Sequence, residues 1–252
     1  MRKLLVALLM FAASPALAED NLKPSAVDAS VRTLLAFKVP DAVVQKYLPP
    51  GFESNPVAAG PTKGSNLGIT LIDYIMVQDP EGKPMPPRNA VVINMPAKKT
   101  ATGEAVAIVF NGFTVPAGVP GPYSVFGPAD ITIDRASHTD PDGKSVVKES
   151  WQAKGADGSA LAVNLEFIRG VPARGKVEAK LHSGAKPDFF RVYRYEQGAD
   201  VVRSSATGVD RVTNFSFKAS GPRLAPIFDG NEQLIAITSV PSYSRTIYLP
   251  VI

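Results

Sequence analysis

Cysteine is absent from all 252 residues. That excludes disulfides, thiol nucleophiles and thiolate metal sites, so stability must come from a packed core. Histidine occurs only twice, at His138 and His182, and neither has a second ligand at metal-binding spacing; no zinc site is expected and each histidine is read as a surface residue. No Gly-x-Ser-x-Gly elbow is present, since the nearest stretch, Gly121 to Gly127, has the wrong spacing. No glycine-rich loop opens a helix to hold phosphate or a dinucleotide, so no cofactor is expected. Basic runs longer than Lys98-Lys99 are also missing. The formal net charge is +4 and falls further if Arg2 and Lys3 are removed with an N-terminal leader, which leaves no general attraction for nucleic acid.

The leader itself is clear. Arg2 and Lys3 precede an apolar stretch over residues 4–13, and Ala16-Leu17-Ala18 supplies small residues for cleavage. Residues 1–18 are therefore read as a secretory signal peptide. The apolar stretch falls short of the ~20 residues of a spanning helix, and no cysteine follows for lipid attachment. A secreted protein without a membrane anchor after cleavage is expected, periplasmic if the source is a Gram-negative bacterium. Residues 19–252 contain no repeat, low-complexity tract or linker and suit one domain, which at this size can bury roughly 70 % of its unfolded surface. A homo-oligomer stays open.

The chain is organised around residues 67–77, Leu-Gly-Ile-Thr-Leu-Ile-Asp-Tyr-Ile-Met-Val. Its residue types favour a strand, and alternation puts Leu67, Ile69, Leu71, Asp73, Ile75 and Val77 on one face and Thr70, Ile72, Tyr74 and Met76 on the other. Both faces are largely apolar, as in a strand covered on both sides. A carboxylate such as Asp73 on an apolar face must find a partner, stay protonated or sit at a wet cavity.

Elsewhere the punctuation is regular. Pro40 opens a short helix over residues 41–47, which Pro49-Pro50-Gly51 stops. Residues 20–29 read as an extended or frayed lead-in, and 224–228 as a second short helix. Asp140-Pro141-Asp142-Gly143 and Gly155-Ala156-Asp157-Gly158 are hairpin signals, and Gln197-Gly198 reads as a further break. About ten to twelve short strands result, the pattern of a sandwich or barrel.

Candidate site residues follow from charge and polarity within these strands. Glu166 and Arg169 stand on opposite faces of the strand over 160–169, and Arg169 either ends an apolar face or snorkels to solvent. Arg191, Tyr193 and Tyr195 alternate with Phe190, Val192 and Arg194 as a strand with one wet face would. Lys98 and Lys99 carry a different possibility, because an amine beside a second cation in a dry pocket loses proton affinity and can attack a carbonyl.

Residues 39–53, Val-Pro-Asp-Ala-Val-Val-Gln-Lys-Tyr-Leu-Pro-Pro-Gly-Phe-Glu, resemble the opening helix and its Leu-Pro-x-Gly-type stop in the acetoacetate decarboxylase-like superfamily. The Gly-rich approach to the long strand at 64–77, the Gly/Pro/aromatic segment in mid-chain and the strand Phe190-Arg-Val-Tyr-Arg194 followed by Glu-Gln-Gly198 agree in organisation. The resemblance implies a single-domain antiparallel β-barrel of cone-like shape enclosing a small-molecule cavity. It also implies a lysine that forms a Schiff base with a β-keto acid within a Gly-x-Pro-Lys-Lys-type segment. Here Gly118-Val-Pro-Gly-Pro-Tyr123 occupies the corresponding place and holds no lysine, while Met95-Pro-Ala-Lys98-Lys99 has the pair but an extra residue and an early position. The leading expectation is thus a protein that binds a small, partly apolar carboxylate or carbonyl compound, with Asp73, Tyr74, Tyr123, Glu166 and Arg169 reaching the cavity. A lyase acting through Lys98 or Lys99, and an envelope structural protein with a filled interior, are the alternatives.

Overall fold

The computed structural model describes residues 21–86 and 88–251; the leader at 1–18 lies outside them. Alternating patterns and turn chemistry are realised as strands almost throughout. They are β1 (Leu22–Lys38), β2 (Phe52–Ser54), β3 (Leu67–Gln78), β4 (Ala90–Lys99), β5 (Ala105–Thr114), β6 (Gly127–Thr139), β7 (Ser145–Gly155), β8 (Ala160–Ile168), β9 (Ala173–Ser183), β10 (Phe190–Ser204), β11 (Val209–Asp210), β12 (Val212–Ser220) and β13 (Gln233–Pro250). The one described α-helix, α1 (Asp41–Tyr47), lies where Pro40 and Asp41 placed it.

Seven strands pair in a circuit that returns on itself. β1 lies antiparallel between β13 and β3, β3 pairs with β4, β4 with β5, β9 with β10, and β10 with β13. β5 closes the circuit through a short parallel ladder to β9. A second antiparallel group, β6, β7, β8 and β12, is tied to the first where Phe113 and Thr114 of β5 run parallel to Gly127 and Pro128. Both predicted hairpins are present, joining β6 to β7 and β7 to β8.

Each strand of the circuit has two differently used faces. One face of β1, β3 and β4 carries Leu35, Phe37, Leu67, Ile69, Leu71, Ile93 and Met95, all packed in the main core with Trp151, Leu161, Val163 and Phe167 of the second group. Val44 of α1 and Leu224 and Ile227 plug the same core. The opposite face belongs to a smaller cluster of Ala90, Val109, Tyr123, Phe126, Tyr193 and Ile247. Gly112 permits the close approach between them: a Cβ there would stand 2.4 Å from the Val91 carbonyl oxygen and 2.9 Å from the Phe126 ring.

Several expectations are corrected. β1 begins at Leu22, so of the two options for the lead-in residues 22–29 take the extended one, as paired ladder, and not the frayed one. Residues 224–228 form consecutive turns closed by Leu224, Ile227 and Phe228 amides, because Gly221 and Pro222 start a turn at the core wall and Asp229-Gly230 end it within one helical turn's length. Gln197-Gly198 is no break; β10 continues through a register shift between Gly198 and Asp200. Finally, a shift between Ala29 and Ser30 bulges β3 at Ile75, which is 67 % exposed. Strict alternation fails there, so Ile75 and Val77 do not share the Asp73 face.

Asp73 meets its requirement by pairing. Arg135 Nη1 donates to its Oδ2 at 2.8 Å, and Arg135 Nε donates to Glu149 Oε1 at 3.2 Å. The buried Glu149 carboxylate also accepts from Thr33 Oγ1 at 2.5 Å and Trp151 Nε1 at 3.2 Å. Removing it strands two buried donors, Thr33 Oγ1 and Trp151 Nε1, and the half-buried Arg135 Nε. Glu149→Ala is therefore expected to lower unfolding free energy by about 3–5 kcal/mol, whereas Asp73→Ala, which removes a partly solvated partner, is expected to cost about 1 kcal/mol or less; urea denaturation of both variants checks the contrast.

Candidate functional site

The inner faces of β1, β3, β4, β10 and β13 meet around a cavity of ≈ 490 Å³. Its walls are largely apolar, with Ile72, Val92, Phe126, Leu181 and Ile247 among them, and its exposed rim carries Met85, Arg88 and Val119. The interior charged lining comes from residues four apart on β1, Asp28 and Arg32, and from Arg191 on β10 and Arg245 on β13.

Asp28 is the centre of this polar wall and is 1 % exposed. It lies opposite Arg245 in the β1–β13 ladder. Arg245 Nε donates to Asp28 Oδ2 at 2.6 Å, and Arg32 Nη2 reaches Oδ1 at 3.4 Å. Arg245 Nη2 donates to the Tyr74 hydroxyl at 3.0 Å, and Arg32 Nε to Ser30 Oγ at 2.8 Å. Both guanidinium planes rest on rings, Arg32 over Tyr243 at 3.3 Å and Arg245 over Tyr193 at 4.4 Å. Burial and the neighbouring Arg245 charge pull the Arg32 value below its ordinary one, yet a guanidinium remains charged at neutral pH.

A phenol pair stands beside this cluster. The Tyr123 and Tyr193 hydroxyls are 2.5 Å apart, and Ser183 Oγ fixes the Tyr123 carbonyl at 2.6 Å. One phenol of the pair donates to the other, so the second retains a proton for a ligand acceptor. Arg191 has no hydrogen bond or ion pair among the described residues, and its Nε is buried. The arrangement can grip an anion, orient an adjoining oxygen and enclose an apolar body. Among the described residues no group of histidine and acidic side chains could hold a metal ion.

No protein-family model and no curated protein matches this chain. Solved structures do. An acetoacetate decarboxylase-like enzyme from Sphingomonas wittichii RW1 is 13 % identical over 98 % of both chains, with a TM-score of 0.56. The enduracididine biosynthesis enzyme MppR, complexed with the condensation product of pyruvate and imidazole 4-carboxaldehyde, is 11 % identical over 90 % of this chain and 89 % of its own, with a TM-score of 0.52. Acetoacetate decarboxylase from Legionella pneumophila is 9 % identical over 96 % and 93 %, at 0.51. The fold is acetoacetate decarboxylase-like.

Within this acetoacetate decarboxylase-like fold the sequence-predicted residues separate. Tyr74 and Tyr123 line the cavity. Asp73 faces the other side of β3, on Arg135. Glu166 pairs with Lys148 at 3.2 Å and flanks a surface groove with Asn214, while Arg169 donates to Ser137 Oγ at 2.9 Å on an exposed edge. Lys98 is 41 % exposed and pairs with Glu53 at 3.0 Å; Lys99 pairs with Glu104 at 3.0 Å, and neither lines the cavity. His182, read as a surface residue, is buried between the Phe52 and Phe190 rings, where burial lowers its proton affinity. Sequence reasoning missed Asp28, Arg32 and Arg245 and gave Arg191 and Tyr193 an ordinary wet face. The available signal was polar or charged residues at same-face, two-residue spacing in Asp28-x-Ser30-x-Arg32, and a lone charge between Tyr243 and Ile247 on one face of the strand at Arg245.

Burial raises the Tyr123 phenol well above its ordinary value, with Tyr193 reinforcing it, and burial likewise raises Tyr195 and Tyr243. The folded chain therefore keeps phenolic protons that the unfolded chain releases above about pH 10. Stability from these groups is complete below that point and declines as pH rises toward the folded values. In an alkaline absorbance titration, Tyr123 and Tyr195 are expected to ionise only as the protein unfolds, and Tyr195→Phe is expected to flatten the alkaline loss of stability.

Proposed function

We propose that the circuit of strands is a β-barrel whose interior binds a small, partly apolar carboxylate. The observation that carries this reading is the composition of the cavity lining, with four arginines, one aspartate and no lysine. A guanidinium presents a planar fork matched to a carboxylate, and a water-poor apolar wall strengthens that attraction while holding the organic remainder. The Tyr123–Tyr193 pair supplies a neutral donor for a second oxygen.

The structural relatives carry decarboxylase names, and a lysine lyase is the natural rival. Its nucleophile would be Lys98 or Lys99, both of which are engaged in ion pairs away from the cavity. Tyr123, in the segment where that lysine would stand, is a phenol that cannot form an imine. A purely structural role needs a filled interior, which a ≈ 490 Å³ cavity does not provide. Secretion, and a periplasmic site of action if the source is Gram-negative, is proposed from the leader at residues 1–18 alone.

Calorimetric titration with hexanoate and hexanamide tests the binding reading. Hexanoate is expected to bind and weaken as salt rises, and hexanamide is expected to bind little; equal affinities, or none for the acid, would contradict it. Treatment with a β-keto acid and borohydride is expected to leave Lys98 and Lys99 unmodified in the mass spectrum, and an adduct on either would establish the lyase instead.

A further inference from the structure

The charges inside the cavity do not balance, and the imbalance says more about the ligand than that it is an anion. Asp28, Arg32 and Arg245 have side chains that are 1, 7 and 10 % exposed, so their charges are largely removed from water. Arg191 lines the same space, with its Nε buried and unpartnered. Arg88 sits on the exposed rim, where solvent screens it. Three interior guanidiniums thus face one carboxylate. Buried charge without a counter-charge is costly, and a site that keeps two uncompensated cations is arranged for something that neutralises them.

Resting on the carboxylate-binding reading above, we propose that the natural ligand is a short dicarboxylate. The cations form two anchors rather than one cluster. Arg32 and Arg245 are clamped together through Asp28, and each keeps an Nη1 that makes no hydrogen bond to a described residue. Arg191 stands four residues along β10 from Tyr195, the residue opposite Arg245, and makes no hydrogen bond or ion pair to a described residue. Two anchors on different strands suit two carboxylates joined by a short apolar link, which lies against Ile247 and Leu181. The Tyr123–Tyr193 pair sits beside the same charges, near enough that Arg191 and Arg245 both act on the Tyr123 phenol. It is placed to donate to one of the bound carboxylates.

Calorimetry on the purified protein with glutarate, its monomethyl ester and propyl phosphate separates the possibilities. Glutarate is expected to bind at least about ten-fold more tightly than the ester, the worth of one charge-assisted anchor. Arg191→Gln is expected to bring glutarate down to the ester's affinity without lowering the thermal midpoint, since Arg191 makes no hydrogen bond or ion pair to a described residue; Arg191→Lys is expected to retain part of the preference. Equal binding of glutarate and ester by the wild-type protein would overturn the dicarboxylate proposal and leave the carboxylate reading standing. Failure of both to bind would overturn both. Tighter binding of propyl phosphate than of glutarate would overturn the two-anchor arrangement in favour of a single dianionic group. Should either variant not fold, the wild-type series decides alone.

Discussion

The buried carboxylate of Asp28 between the Arg32 and Arg245 guanidiniums is the constraint on which the inner face of this protein depends. It joins β1 to β13, the two longest strands, and through Arg245 it orients the Tyr74 hydroxyl on β3. A one-residue slip of β1 would carry Asp28, Ser30 and Arg32 into the main core and turn Leu35 and Phe37 into the cavity. Both errors are expensive, one by burying unpaired charge and the other by exposing large apolar groups. The register of β1 is thus specified from both sides at once.

That two-sidedness explains the organisation of the rest. The circuit of seven strands needs apolar cover on its outward face, which the group β6, β7, β8 and β12 supplies with Trp151 and Phe167. Its inward face is released from close packing and can hold polar side chains, provided they satisfy one another. Most do: aspartate with two arginines, arginine with tyrosine, tyrosine with tyrosine. Arg191 is the exception: its buried Nε has no hydrogen-bond partner among the described residues, which is the observation the carboxylate proposal builds on.

The fold was far more legible than the site. α1, the two hairpins and the strand-rich character rest on local signals, namely Pro40, Asp-Gly turns and alternation, and these survive into the structure. The resemblance of residues 39–53 also pointed to the right fold. The site is assembled instead from residues 28, 32, 123, 191, 193 and 245, whose proximity comes from strand pairing across the whole chain. Parity within a strand was readable, but which parity faced inward was not. Alternation put Asp73 on the face of Leu67, Ile69 and Leu71, but that face turns away from the cavity, and Arg135, its partner there, lies 62 positions away. Lys98 and Lys99 looked like a catalytic pair because sequence proximity hides the fact that each already has a carboxylate, Glu53 or Glu104, from another segment.

The chain therefore shares an architecture with decarboxylase-named proteins while its cavity is lined by guanidinium and phenol groups, which cannot form imines and which, in the function proposed, bind and orient a carboxylate. A crystal structure of the protein soaked with a short aliphatic carboxylate tests this most directly. Carboxylate density is expected within the cavity, in hydrogen-bond reach of Arg191 or of the Arg32–Arg245 pair, with the alkyl part against Ile247. A carboxylate bound only elsewhere, or a cavity filled by the protein's own side chains, would contradict it.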